Sequence, residues 1–119
     1  MRNDRPANAV LEKSYSYALA AISLARKLQL LKEYVLSRQF VRAATSVGAN
    51  VEEAQAAQTR PEFHPLMSRA EKEARESHYW LRLIRDSYDE LSADATHLLD
   101  SDQELKRLLA AITKSTKPK

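Results

Sequence analysis

Carboxylates and histidines at helical spacing can hold a metal ion, and this sequence contains one such pair. Asp94 and His97 are three residues apart and would share a face in a helix. Metal sites in helical bundles, however, combine Glu from two helices with Glu-x-x-His from two others, and no Glu-x-x-His occurs here. Of the other histidines, His64 precedes a proline and His78 lies beside an apolar seam. We predict no metal site.

Motifs for covalent catalysis and for phosphate binding are missing as well. The chain has no cysteine, which excludes a thiolate nucleophile, a disulfide and a Cys-ligated metal. Its single glycine, Gly48, leaves no Gly-rich phosphate loop and no Gly-x-Ser-x-Gly elbow. We therefore predict that the protein is not an enzyme, has no catalytic residues and binds no cofactor.

Asn50 and Glu53 are the first candidates for a functional pair, because they stand beside an apolar stripe. A structural role is the favoured alternative: Asn50 would make a buried hydrogen bond that fixes helix register, and Glu53 would meet an Arg of another helix. Gly48, just before them, sits in a helical pattern where a glycine usually lets a neighbouring backbone come close.

Lysines and arginines on helix faces can contact the phosphates of RNA or DNA without reading the sequence. The net charge is only +3, and the basic excess lies in the first half of the chain. The alternative is a solvated surface with intrahelical ion pairs, which Glu71, Glu73 and Glu76 would supply on the third helix. The candidate contacts are Arg26, Lys27, Arg38, Arg42, Arg60, Arg69, Lys72 and Arg75.

Tyr79 and Trp80 are large aromatic residues that fall outside the strict apolar seam of their helix. Aromatic residues of this kind are enriched at protein–protein interfaces. They could equally pack against the first helix. We favour an oligomer interface, since a bundle that self-associates needs apolar surface beyond its own core.

The composition of the chain predicts an all-α protein. Hydrophobic residues make up 44% of the 119 residues, with one glycine and four prolines. Tight strand turns need Asn-Gly or Asp-Gly pairs, and neither pair occurs. Apolar residues recur at helical spacing in four segments, which predicts helices at about 8–30, 35–58, 62–91 and 93–114. In the first of these, Leu11, Ala18, Ile22, Ala25 and Leu28 form the predicted buried stripe.

The third segment carries the clearest pattern. Nine residues alternate spacings of four and three, which is a heptad seam. Thr59 and Glu62 fit a capping box at its start, whereas Pro65 would disturb a helix that begins there. The helix is therefore expected either to be kinked near Pro65 or to start regularly only at that residue. The seam consists of Phe63, Met67, Ala70, Ala74, Ser77, Leu81, Ile84, Tyr88 and Leu91.

Four amphipathic helices with short connections predict an antiparallel up-down-up-down four-helix bundle. We expect one such domain over residues 1–119, with residues 1–7 and 115–119 disordered or frayed. No apolar run approaches the ~20 residues that a membrane span needs, and the polar segment before residue 9 does not resemble a signal peptide. A cytoplasmic protein without membrane partners is expected.

Two stretches of the sequence resemble a known family. They read EYVLSRQFVRAATSVGANVEEAQAAQTRPEF and MSRAEKEARESHYWLRLIRDS, and they closely resemble the four-helix-bundle proteins encoded in 23S rRNA intervening sequences. The likeness is clearest at Leu36, Arg42, Ser46, Val47, Ala49, Asn50, Glu53, Ala54, Phe63, Ala70, Glu73, Glu76, Tyr79, Trp80 and Leu81.

The resemblance implies a bundle that assembles with itself into a ring, expected to be a homopentamer. It also implies relatives that act as accessory proteins of diversity-generating retroelements, where a basic barrel engages a reverse transcriptase and nucleic acid. We therefore expect a self-associating scaffold or accessory protein linked to an RNA or DNA process. The alternative is a direct RNA- or DNA-binding module that uses helix-face Arg and Lys.

Overall fold

The computed structural model describes the backbone of residues 6–118 and the side chains of residues 9–118. Four helices account for almost all of this range: α1 at Pro6–Leu30, α2 at Tyr34–Ala54, α3 at Arg60–Ser87 and α4 at Ser92–Thr116. A single 3₁₀ turn, Asp89–Leu91, joins α3 to α4. The predicted all-α class and the number of helices are confirmed.

The helices form an antiparallel up-down-up-down bundle that measures 46 × 24 × 19 Å. Each helix packs against its neighbours in chain order, and α1 closes the bundle against α4, leaving α1 and α3 on one diagonal. Antiparallel pairing of α1 with α4 is visible in two salt bridges, Lys13–Glu104 at 3.1 Å and Lys27–Asp94 at 2.7 Å. None of the described helices has the length and apolar character needed to cross a bilayer.

The heptad seam of α3 is confirmed as the centre of the core. Six of its nine residues lie in α3 and are buried, from Met67 to Ile84. Phe63 and Tyr88 pack on the core from its two ends, and Leu91 is buried in the 3₁₀ turn. A seven-residue repeat predicts burial well here because the opposite face of α3 is charged.

The predicted buried stripe of α1 is wrong at Ile22, which is 36% exposed. Leu11 and Ala18 are only half-buried. A different set of α1 residues faces the core. Because α1 also has apolar residues on its outward side, the periodicity of apolar residues alone could not distinguish the two faces. The buried set is Val10, Ser14, Tyr17, Ala21, Leu24, Ala25 and Leu28.

The start of α3 shows how the chain accommodates two prolines. The helix begins at Arg60, and the predicted capping box is present: Glu62 N donates to Thr59 Oγ1 over 3.3 Å, and Thr59 N donates to Glu62 Oε1 over 3.1 Å. A helix start at Pro65 is therefore wrong, since Pro65 lies inside α3. The backbone N–H groups of Gln58 and Thr59 also hold the pKa of the Glu62 carboxyl below its ordinary value.

Gly48 brings α1 and α2 together in the core. A Cβ placed on this residue would lie 3.4 Å from the carbonyl oxygen of Ser14 in α1. That distance leaves room for a methyl group but not for a longer side chain. The two helices are therefore close at Gly48, yet an alanine would also fit there, so this contact does not by itself require a glycine.

The α1–α2 connection has no glycine, and Lys32 takes the left-handed conformation there, with φ of 63°. A left-handed residue just after a helix is usually Gly, because a Cβ costs energy in that conformation. We expect Lys32→Gly to raise the free energy of unfolding by roughly 0.5–1 kcal/mol. Urea unfolding of the two proteins measures the change, with Gln29→Gly, inside α1, as the destabilising control. An unchanged or lower midpoint for Lys32→Gly would contradict the prediction.

Candidate functional site

The predicted phosphate-binding residues lie on the outer faces of three helices and do not converge on one site. Three of them are held in ion pairs: Arg42 with Glu73 and Glu76, Arg75 with Glu71, and Lys27 with Asp94. Among the residues with described side chains, the remaining five form no ion pair. These five are Arg26, Arg38, Arg60, Arg69 and Lys72, all exposed.

Arg42 belongs to a network that joins α2 to α3. Its guanidinium binds the carboxylates of Glu73 and Glu76. Glu76 also accepts a hydrogen bond of 3.0 Å from the Nε1 of Trp80. One carboxylate thus serves an arginine and a tryptophan. The network bridges α2 and α3 at the surface and partly neutralises a predicted nucleic-acid contact.

Asn50 and Glu53 do not form a pair in the structure. The Nδ2 of Asn50 donates to the carbonyl oxygen of Ser46 in its own helix, at 2.8 Å. Glu53 is exposed, and no arginine among the described side chains pairs with it. The Asn50 amide thus bonds to the backbone of its own helix, and a role of this half-buried residue in fixing register stays a prediction.

Tyr79 and Trp80 have different environments although they are adjacent. Tyr79 is 48% exposed, whereas Trp80 is half-buried and packs on the core. Their rings meet edge to face with centroids 5.2 Å apart. Tyr79 is thus available to a partner, whereas Trp80 is partly covered by the core of its own bundle.

A buried polar cluster at the centre of the bundle was not predicted. Asp102 of α4 is completely buried, and neither of its carboxyl oxygens has a hydrogen-bond partner within the described part of the chain. The Tyr17 hydroxyl of α1 lies beside it, yet its hydrogen bond goes to Ser77 Oγ of α3. Burial raises the pKa of Asp102 to about 7, and burial and the charge of Asp102 raise the pKa of Tyr17.

A groove between α1 and α4 runs over this cluster. Its larger part has a volume of about 400 Å³ and includes Tyr17, Glu12, His97 and Glu104 in its walls. The continuation toward Asp94 adds about 200 Å³. Among the described residues, no three His, Asp or Glu side chains come close enough to hold a metal. The groove lysines, Lys13 and Lys27, are each tied to a carboxylate of α4.

Comparison with known proteins places the chain in a family. The 23S rRNA-intervening sequence protein family matches residues 7–111. The chain belongs to this family. A crystal structure is known for a similar protein of unknown function, which belongs to the S23 ribosomal protein family and comes from Bacteroides thetaiotaomicron VPI-5482. Its sequence is 34% identical to this chain. It superimposes with a TM-score of 0.87 over 92% of this chain and 99% of its own. No curated protein matches the chain significantly.

The family resemblance seen in the sequence is therefore confirmed, and the matched range includes all of α2 and α3. This member of the 23S rRNA-intervening sequence protein family accordingly has the fold of its family.

Proposed function

We propose that this protein is a non-enzymatic, self-associating helical scaffold of the cytoplasm, assembled as a closed ring of five copies. The observation that carries the proposal is the amount of apolar surface that the bundle leaves uncovered. Tyr15 is 60% exposed, Leu19 55% and Leu30 83%. Contiguous apolar patches on small proteins generally mark an interaction site.

The exposed apolar residues form a band rather than single scattered positions. Tyr15, Leu19 and Ile22 follow one another along α1 at spacings of four and three, so they lie on one face. A second copy of the chain is a partner that is always present at the same concentration.

The number of five copies comes from the family resemblance, and the solution mass tests it. We expect light scattering to give about five times the chain mass of 13.5 kDa, at both low and high salt, because apolar burial resists screening. A mass of 13.5 kDa at high protein concentration would remove the scaffold proposal. A stable assembly of another size would keep self-association and refute the pentamer.

We extend the proposal to an accessory role beside RNA, DNA or a reverse transcriptase-like protein, for which Arg38 is one candidate contact. It is exposed on α2 and forms no ion pair among the described side chains. Repetition of this charge around a ring would strengthen the local field. Glu71, Glu73 and Glu76 nevertheless keep two of the candidate residues, Arg42 and Arg75, in ion pairs.

Arg38→Glu should weaken the binding of single-stranded RNA. It should also make the binding constant less dependent on salt concentration, by the amount that corresponds to the loss of about one phosphate contact per copy. Arg107→Glu, an exposed arginine of α4 outside the candidate set, is the matched control. Fluorescence anisotropy at several salt concentrations measures both variants. If wild-type protein binds no RNA in low salt, the direct nucleic-acid function is ruled out while the scaffold stands.

A further inference from the structure

The outward faces of α1 and α3 point to opposite sides of the bundle. Inside the core, Tyr17 of α1 and Ser77 of α3 share a hydrogen bond across the diagonal. Leu19 and Tyr79 each come two residues later, which is a rotation of ~200° around a helix. Both side chains therefore point away from the core and away from each other, and both are about half exposed.

The outward face of α1 has a charge at each side of its central leucine. Glu12, Leu19 and Arg26 are separated by seven residues each. Seven residues are two turns of an α-helix, so the three side chains lie in one row. All three are exposed. The row reads acidic, apolar, basic in chain order.

The outward face of α3 repeats this arrangement with the charges reversed. Lys72, Tyr79 and Asp86 are also separated by seven residues each, and all three are exposed. The row reads basic, apolar, acidic in chain order. In an up-down-up-down bundle α1 and α3 run in the same direction, so the two rows are parallel and of equal length.

Parallel rows with opposite charges match when one bundle is placed beside another. Consider a second copy that is related to the first by rotation about an axis parallel to the long axis of the bundle. Helix α3 of the second copy then lies parallel to α1 of the first. With Leu19 set against Tyr79, Glu12 faces Lys72 and Arg26 faces Asp86. The register that joins the two apolar residues is thus the same register that joins both charge pairs.

We propose that α1 of one protomer packs in this register against α3 of a second copy, an inference that rests on the proposed self-association. Such a contact joins two different faces, so it repeats from copy to copy. It closes into a ring when each copy is rotated slightly toward the ring axis relative to the one before, because directly opposite faces alone build an open row. Its centre joins Leu19 to Tyr79, and the charges of the two rows lie at its two ends. Exposed Arg75 and Arg82 also flank Tyr79 on the α3 face, as polar residues commonly do around the apolar centre of an interface.

The charges in these rows remain available to a partner. Glu12, Arg26 and Lys72 form no ion pair with any side chain described in residues 9–118. Asp86 accepts a hydrogen bond of 2.7 Å from Arg85, yet its side chain is 65% exposed. Tyr79 already rests edge to face on Trp80, so binding would lose less side-chain entropy than for an unsupported ring.

Mixing two interface variants tests the proposal directly. Leu19→Asp destroys the α1 face and leaves the α3 face intact, and Tyr79→Asp does the reverse. We expect each variant alone to be a monomer and an equimolar mixture to form a dimer, because one intact face of each kind remains. A contact between identical faces would instead leave one of the two variants able to assemble by itself. That result, or a mixture that stays monomeric, would refute the proposal.

Charge reversal tests the register. Glu12→Lys should lower the assembly's association constant at least tenfold at low salt, and the double variant E12K/K72E should recover most of it. Failure of the double variant to recover assembly would overturn this register. Val35→Asp serves as the matched control, since Val35 is an exposed apolar residue of α2 that the contact does not use; loss of assembly in it would also count against the proposal.

The two proposals fail in different ways. A monomeric wild type would refute self-association, and this contact with it. An oligomeric wild type together with oligomeric Leu19→Asp and Tyr79→Asp variants would leave the scaffold intact and place its interface elsewhere. Circular dichroism of each variant shows whether the bundle is still folded, so that loss of assembly is not mistaken for loss of fold.

Discussion

Replacing Asp102 with Asn is expected to stabilise the protein by about 4 kcal/mol at pH 8 and to change its stability little at pH 4. The carboxyl is completely buried, its oxygens have no hydrogen-bond partner among the described residues, and its pKa is raised to about 7. In the unfolded chain the pKa of an aspartate is about 3.9. A difference of roughly three pKa units corresponds to about 4 kcal/mol.

The sign of this effect follows from proton uptake. Between about pH 4 and pH 7 the folded protein keeps the Asp102 proton and the unfolded chain releases it, so stability falls as pH rises through that range. Above pH 7 the folded state contains a buried carboxylate, and the loss is complete. Asn resembles the protonated acid in shape and stays neutral, so D102N avoids the loss.

Urea unfolding of wild type and D102N at several values from pH 4 to pH 8 measures the difference. Subtracting the two curves removes the contributions of other titrating groups, such as Glu62 and Asp86, whose pKa values are lowered. Asp100→Asn, an exposed residue of the same helix, is the control and should give a flat difference. A constant difference for D102N as well would mean that this carboxyl ionises alike in folded and unfolded protein.

The same residue shows where sequence patterns stop being informative. Asp102 interrupts the apolar stripe of α4, and Ser77 interrupts the seam of α3. Each interruption was visible in the sequence, yet only the packing of three helices shows that they meet Tyr17 at one level of the core. The number of helices was predictable because each helix has its own periodicity.

Helix faces were predictable only where one side is charged and the other apolar. The seam of α3 meets this condition: seven of its nine predicted residues are buried and Phe63 and Tyr88 are half-buried at its ends. By contrast, α1 has apolar residues on both sides and its stripe was misplaced at Ile22. The candidate basic residues could be named from the sequence. Their ion pairs could not, because Arg42 is 31 residues from Glu73 and 34 from Glu76 along the chain.

Trp80→Ala is expected to lower the free energy of unfolding by roughly 3 kcal/mol. This value is at the low end of the range for replacing a core tryptophan by alanine, because the Trp80 ring is only half-buried. Two losses contribute: the contact of the indole with the core, and its hydrogen bond to Glu76. Trp80→Phe keeps most of the contact and loses the N–H donor, so a cost of about 1 kcal/mol is expected.

The adjacent residue gives the matched comparison, because Tyr79 is exposed and Trp80 supports its ring. Tyr79→Ala should change the stability of the separated protomer by no more than ~0.5 kcal/mol. Chemical unfolding at protein concentrations low enough to dissociate any assembly is the measurement, since association adds its own stability. If Trp80→Ala unfolds like wild type there but fails to assemble at high concentration, Trp80 is an interface residue. The opposite result assigns the tryptophan to the α2–α3 seam of its own bundle and leaves Tyr79 as the aromatic residue available to a partner.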